Sequence, residues 1–344
     1  MKKYLLVFVV IALQVFGCES AQTSHNDTRN RKIKIYTKVL TDYLYDQNIP
    51  ALQSVQQWEN DYGAGLKLTT AHYEIFTTLL DTATLCKIPQ FMESAYRAYN
   101  SQLPKPIETN IKFPVYLFAE RQQWEHFTWL FAGESAEIFY RIQAGAYYHN
   151  GTCVAYNIGQ ERTFFALGHE GWHQFNSRFF KYRLPSWLDE GVAMLFEAHV
   201  TNNGRFYFDP SLNNYRLEAL KKTLAKGNII PLQELIAMNP GQVLTTDETE
   251  AAMAFYSQSY ALVRFLREAV HGEKLSVYRR LLADGLQGNW PIDQTSREVA
   301  IDRNTPRTIL WNHIVGTVLF QKYIGYDFEQ IQKEYLEFCR KLVQ

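Results

Sequence analysis

Residues 163–196 read TFFALGHEGWHQFNSRFFKYRLPSWLDEGVAMLF. They contain His169-Glu170-Gly171-Trp172-His173, and seventeen residues beyond the second histidine comes Glu190, within Pro185-Ser186-Trp187-Leu188-Asp189-Glu190-Gly191. Two histidines four residues apart on a helix lie one turn apart on the same side, so both can grip one ion without bending the backbone. A catalytic zinc takes neutral imidazoles and a carboxylate and leaves a fourth position for water. Glu170 follows the first candidate ligand directly, on the flank of the same face. A carboxylate there can take a proton from metal-bound water and later pass it to a leaving amine.

Periodicity supports this reading. Phe165, Ala166, His169, Trp172, His173 and Asn176 follow a helical period, which predicts a helix with this face turned inward. Pro185 predicts a second helix that starts at its first turn. Trp187, Glu190, Gly191 and Met194 share one face of it, which sets Glu190 among apolar neighbours. A buried carboxylate is costly unless it is paired or bound to metal. Gly191 is a poor helix former, and close approach of these two helices is a reason to keep it.

HEGWHQF followed by LPSWLDEG resembles the gluzincin branch of zinc metallopeptidases, and more closely the peptidase-MA-like family known as domain of unknown function 1570. The likeness extends to Tyr73–Thr77 and Phe113–Phe118 as strands, to Gly145-Ala146-Tyr147-Tyr148 leading into an edge strand, and to the helix Tyr256–Leu266, so it spans residues 68–270. The resemblance implies a zincin-like fold in which His169, His173 and Glu190 hold Zn2+ and Glu170 is the general base. Many relatives carry an acidic residue four positions after the third ligand, to orient a ligand histidine. Met194 stands there in this chain, and Asp189 or Glu197 is the candidate substitute, Glu197 lying seven residues, or two turns, beyond Glu190. Gluzincins often steady the oxyanion with a tyrosine or histidine from a later helix, and Tyr256 and Tyr260, one turn apart, are the candidates among 22 tyrosines.

The chain has 344 residues, enough for one large or two modest domains. Its formal net charge is zero, so nothing points to a polyanionic partner, and short runs such as Lys221-Lys222 are too small for a nucleic-acid patch. No P-loop, dinucleotide fingerprint or nucleophile elbow is present. Residues 1–18 pair Lys2 and Lys3 with an apolar run ending at Val15-Phe16-Gly17-Cys18, which reads as an export signal with a lipobox whose Cys18 would carry a lipid. Residues 19–65 read as a polar tether and short helices, over 33–48 and more weakly over 52–62. Residues 66–270 hold the core. Leu66–Phe76 reads as a strand, Ala83–Leu103 as an amphipathic helix, Val115–Ala119 as a buried strand and Glu120–Phe131 as a helix. Tyr147-Tyr148 and Thr152–Ile158 read as a hairpin around His149-Asn150-Gly151, since Asn-Gly is a favoured two-residue turn. Its second strand, leading into the motif helix, is a candidate edge on which an extended peptide pairs, or else an internal strand. His149 reads as a solvated turn residue, and Thr201–Asn214 as a loop over the cleft. Residues 271–344 read as helices packed on the core. Cys86, Cys153 and Cys339 are odd in number and lack zinc-type spacing, so buried free thiols are expected.

The expectation is an α+β chain with a mixed sheet, an HExxH helix and a mostly helical C-terminal part. Its expected activity is that of an exported, lipid-anchored zinc metallopeptidase of the bacterial cell envelope, acting on a peptide or protein, with no nucleic-acid partner. The alternatives are a catalytically silent binding lipoprotein of the same fold, and a zinc hydrolase of a non-peptide amide.

Overall fold

The computed structural model describes residues 35–143, 145–239, 249–304 and 308–344. The export signal with Cys18, the tether and most of the polar stretch 239–250 lie outside the described residues. Six strands form one mixed sheet: β1 Ser54–Gln57, β2 Leu66–Thr69, β3 Tyr73–Thr77, β4 Phe113–Phe118, β5 Ala146–His149 and β6 Thr152–Tyr156, in the order β1-β2-β3-β4-β6-β5. β4 runs parallel to β3 and β6, and the other neighbours are antiparallel.

Period-two alternation divides the side chains between two layers. Tyr73 and Ile75 of β3, Val115 and Leu117 of β4, and Cys153 and Ala155 of β6 enter the main core. That face is covered by α1 (Ile88–Asn100) and α2 (Gln160–Phe179), through residues such as Phe91, Phe164 and Leu167. Burying each such side chain contributes about 1.5–3 kcal/mol relative to exposure. Phe118, Tyr147, Val154 and Tyr156 point the other way and meet Trp124 of the helix Arg121–Ala132 in a smaller aromatic cluster.

Three sequence expectations are corrected here. Residues 66–76 are not one strand but the hairpin β2–β3, with Leu68 opposite Ile75. The turn carries no Gly, Asn or Pro signal. It is held from a distance by Glu93 of α1, whose carboxylate accepts from Thr70 Oγ1 (2.6 Å), His72 N (2.7 Å) and His72 Nδ1 (2.8 Å). Within 52–62, read weakly as helix, residues 54–57 form β1, because pairing Val55 with Leu68 buries more than an isolated turn would. The hairpin 199–208 is not a loop over the cleft. Its strands β7 (His199–Asn202) and β8 (Arg205–Phe208) lie against α1, with Phe206 and Phe208 packed on Phe91 at 5.3 and 5.6 Å.

The β5–β6 turn follows expectation. Asn150 and Gly151 both take positive φ, 44° and 80°, as a type I′ turn requires. β6 is internal, with every residue buried, and β5 is an edge strand, as β1 is at the other end of the sheet. Tyr156 N donates to Gly145 O, so hydrogen-bonded pairs alternate from there and Ala146 and Tyr148 face the open edge.

After α2 come α3 (Ser186–Ala193), α4 (Asn214–Lys226), α5 (Thr249–Glu268) and a run of helices ending in α6 (Phe328–Leu342). One continuous buried apolar cluster extends from Leu40 to Cys339, so residues 271–344 share the core of the sheet domain. Cys86, Cys153 and Cys339 are free thiols, with Cys86 half-buried rather than buried. Among the described residues no helix is long and apolar enough to cross a membrane.

Gly191 does serve a close approach, but of α3 to α5 rather than to α2. A Cβ there would lie 2.5 Å from Val263 Cγ2 and 2.6 Å from Ser259 O. Backbone cannot yield as a flexible side chain can. Gly191→Ala is therefore expected to cost about 1–3 kcal/mol. Urea denaturation should show a lower midpoint with an unchanged slope, and an unaltered midpoint would disprove the packing claim.

Candidate metal centre

α2 begins after Gly159 and carries Glu161 in its first turn and Arg178 in its last, signs that suit the helix dipole. Its buried face, with Thr163, Phe164, Leu167, Gly171, Trp172 and Phe175, is held by the sheet and by α1. Tyr99 of α1 donates its hydroxyl to Gly168 O at 2.8 Å, one residue before the motif. The neighbouring face carries His169 and His173, each about one-seventh exposed (13% and 14%).

The two imidazoles converge, with Nε2 atoms 3.2 Å apart. Glu190 on α3 brings Oε2 to 3.3 Å from His169 Nε2 and 3.7 Å from His173 Nε2. His169, His173 and Glu190 thus form a group of facing ligand atoms, all within 4.8 Å of one another, that can hold a metal ion.

Both candidate substitutes for Met194 are used, one on each histidine. Asp189 Oδ1 accepts from His173 Nδ1 at 3.0 Å and from Asn176 Nδ2 at 2.7 Å. Glu197 Oε1 accepts from His169 Nδ1 at 2.9 Å. Glu197 does not arrive along the face of a continuing helix. α3 ends at Ala193 and a 3-10 turn, Met194–Phe196, carries the chain behind His169. Met194 itself is fully buried in the core. With Nδ1 of each ring on a carboxylate, it is Nε2 that faces the shared centre, and its lone pair is offered there once the ring is neutral.

The electrostatics follow from this crowding. Burial alone would depress both imidazoles. The carboxylates override it: Glu190, Glu197 and Glu170 push His169 up to about 10, and Asp189 and Glu190 hold His173 above its ordinary value. Glu170 is raised above the usual carboxylate range by desolvation, while the two histidines and a hydrogen bond from Tyr148 N–H pull against it. Glu190 is held low by His173 and His169 despite its burial. Glu197 is depressed to about 2, its burial being outweighed by Arg216 and His169. The centre is acidic and desolvated, which favours positive charge.

Tyr256 and Tyr260 part company. Tyr256 is half-buried on α5, its hydroxyl makes no hydrogen bond among the described residues, and its acidity is suppressed by burial and by the charges of Glu190 and Glu170. Tyr260 is fully buried; its hydroxyl donates to Pro210 O and accepts from Arg264 Nη1 at 3.3 Å. Its place is structural. His149 is likewise not a solvated turn residue, since its ring sits between Phe131 and Phe139. His199 lies among Phe91, Phe164, Phe206 and Phe208, away from the ligand group.

Comparison with known proteins finds no protein-family model that matches the chain and no match among curated proteins. The site therefore rests on its own geometry.

That geometry makes metal binding compete with protons. His169, pushed up to about 10 by Glu190, Glu197 and Glu170, holds a proton at neutral pH that it must lose to bind a metal, and His173 is shifted in the same direction. Apparent affinity should fall as pH falls and rise as pH rises, by about tenfold per unit or more between pH 6 and 8. Zinc titration against a competing chelator, with proton release followed in weak buffer, checks this. A flat profile would contradict the proton competition.

Proposed function

We propose that the protein is an exported, lipid-anchored zinc metallopeptidase of gluzincin type. The observation that carries this reading is the triangle of His169 Nε2, His173 Nε2 and Glu190 Oε2, with sides of 3.2, 3.3 and 3.7 Å. Ligands about 2.0–2.1 Å from zinc at tetrahedral angles stand about 3.4 Å from one another. Two imidazoles and one carboxylate also leave the fourth position free, as a catalytic site needs. When bound, zinc supplies Lewis acidity, polarising a carbonyl and acidifying water.

The chain's own groups do the rest. Glu170 follows His169 on the same helix, and its raised pKa lets it take a proton from the attacking water and return it to the leaving amine. The Tyr148 N–H of the edge strand favours its ionised form, which sets Glu170 near that strand. β5 offers outward-facing main-chain groups with which an extended peptide can pair. Tyr256, whose hydroxyl is engaged by no hydrogen bond among the described residues, is suited to the oxyanion. Export and the lipid on Cys18 rest on residues 1–18 alone.

A catalytically silent scaffold would be favoured if Met194 left the ligand histidines without supporting carboxylates. Asp189 and Glu197 supply those carboxylates, which removes that support.

Purified protein is expected to hold one zinc per chain, lost in His169→Ala. Glu170→Gln should keep the zinc and lose about 10²–10⁴-fold in turnover of a peptide library. Full activity in that variant would sink the peptidase assignment. Turnover of muropeptides but not peptides would move it to the non-peptide amide class. Tyr256→Phe is expected to lower kcat about 10²–10³-fold with zinc retained; Tyr260→Phe should leave kcat near that of the parent. Equal loss in both variants would reject the distinction between them.

A further inference from the structure

Glu197 supports His169, and something must hold Glu197. Its side chain is wholly buried, with 0% exposure. Arg216, in the first turn of α4, meets it with a fork: Nε donates to Oε2 at 2.9 Å and Nη2 to Oε1 at 2.6 Å. Asn213, the N-cap of α4, adds a bond from Nδ2 to Oε2 at 2.7 Å. A bidentate guanidinium fixes both the place and the plane of a carboxylate, which a single point charge does not. Oε1 is thereby aimed at His169 Nδ1, 2.9 Å away.

The guanidinium is itself fixed. Its carbon lies 5.1 Å from the Tyr215 ring, 5.4 Å from Tyr256 and 5.9 Å from Phe165. Three aromatic rings about one desolvated cation leave it little freedom. A chain of contacts thus joins α4 to the metal-facing nitrogen: the aromatic cage, Arg216, Glu197, then the imidazole. Asp189 has a different support behind His173, the Asn176 amide.

We propose that Arg216 is a positioning residue of the metal centre, which acts through Glu197 to hold His169 with Nε2 toward the ion. This rests on the reading that His169, His173 and Glu190 bind a metal, and not on the identity of the substrate.

The test measures zinc affinity of the full chain by competition with a chromogenic chelator, in Arg216→Met, Arg216→Lys, Glu197→Gln and the double variant R216M/E197Q. Loss of a group that supports a ligand histidine weakens metal binding about 10–100-fold. R216M and E197Q are each expected to fall in that range. R216K, which keeps the charge and loses the fork, should lie between wild type and R216M. Because the two residues act in series, the double variant should bind within about threefold of the weaker single variant. A merely structural role would make the losses multiply, and that result, or wild-type affinity in R216M, overturns the proposal. If R216M does not fold by circular dichroism, R216K and E197Q carry the test, and wild-type affinity in R216K overturns it. Zinc bound by wild type without peptide cleavage sinks the peptidase reading while the Arg216 comparison remains readable. A wild type that binds no zinc sinks both.

Discussion

Four carboxylates, Glu170, Asp189, Glu190 and Glu197, surround two imidazoles with little solvent between them. Two unit charges about 4 Å apart interact by about 4 kcal/mol even at an effective dielectric of about 20. Such a cluster persists only if each charge has a partner. Arg216 and Asn213 answer Glu197, Asn176 answers Asp189, and the two histidines with the nearby Tyr148 N–H favour the charge on Glu170. Glu190 has the histidines themselves. What remains at the centre is a demand for positive charge between three facing ligand atoms. A proton on His169 meets part of it, and a divalent cation would meet it better.

The scaffold is arranged to keep those groups still. α2 is wedged between the sheet and α1, with Tyr99 bonded to Gly168 O beside the motif. Phe196 O approaches the same residue so closely that a Cβ there would lie 2.1 Å from it. Backbone contact at Gly168 fixes the 3-10 turn against α2, and the turn delivers Glu197 to His169. On the other side, α5 presses on Gly191 and sets the position of Glu190. The ligand triangle thus depends on backbone approaches that any larger residue would spread.

The sheet contributes more than support. β6 is enclosed, and its short connection to α2 ties the motif helix to the middle of the sheet. β5, paired on one side only among the described residues, leaves main-chain groups at the open edge, and Glu170 lies near enough to that strand for the Tyr148 N–H to favour its charge. The proposed proton-handling carboxylate and the proposed peptide-pairing edge are therefore neighbours. Substrate register and catalytic geometry would be set together.

Much of this was legible in the sequence where one element carries its own signal. The spacing of His169 and His173 determined that they share a helix face. Pro185 and the apolar period after it marked the helix that presents Glu190, and Asn150-Gly151 marked the hairpin. Glu197 and Asp189 were legible only as alternatives, because a period describes one helix and α3 stops at Ala193. Arg216 carried no signal, since it lies on a separate helix and meets Glu197 only through folding. The turn at Thr70–His72 was hidden likewise, being held by Glu93 from α1. Tyr256 and Tyr260 looked equivalent until Pro210 and Arg264 engaged one of them. The sequence by itself determined which residues are candidates to hold a metal and which faces turn inward, because periodicity is local. Tertiary structure decided which carboxylate supports which histidine, which tyrosine is free and which strand is the edge, because those are pairings between elements that no local period encodes.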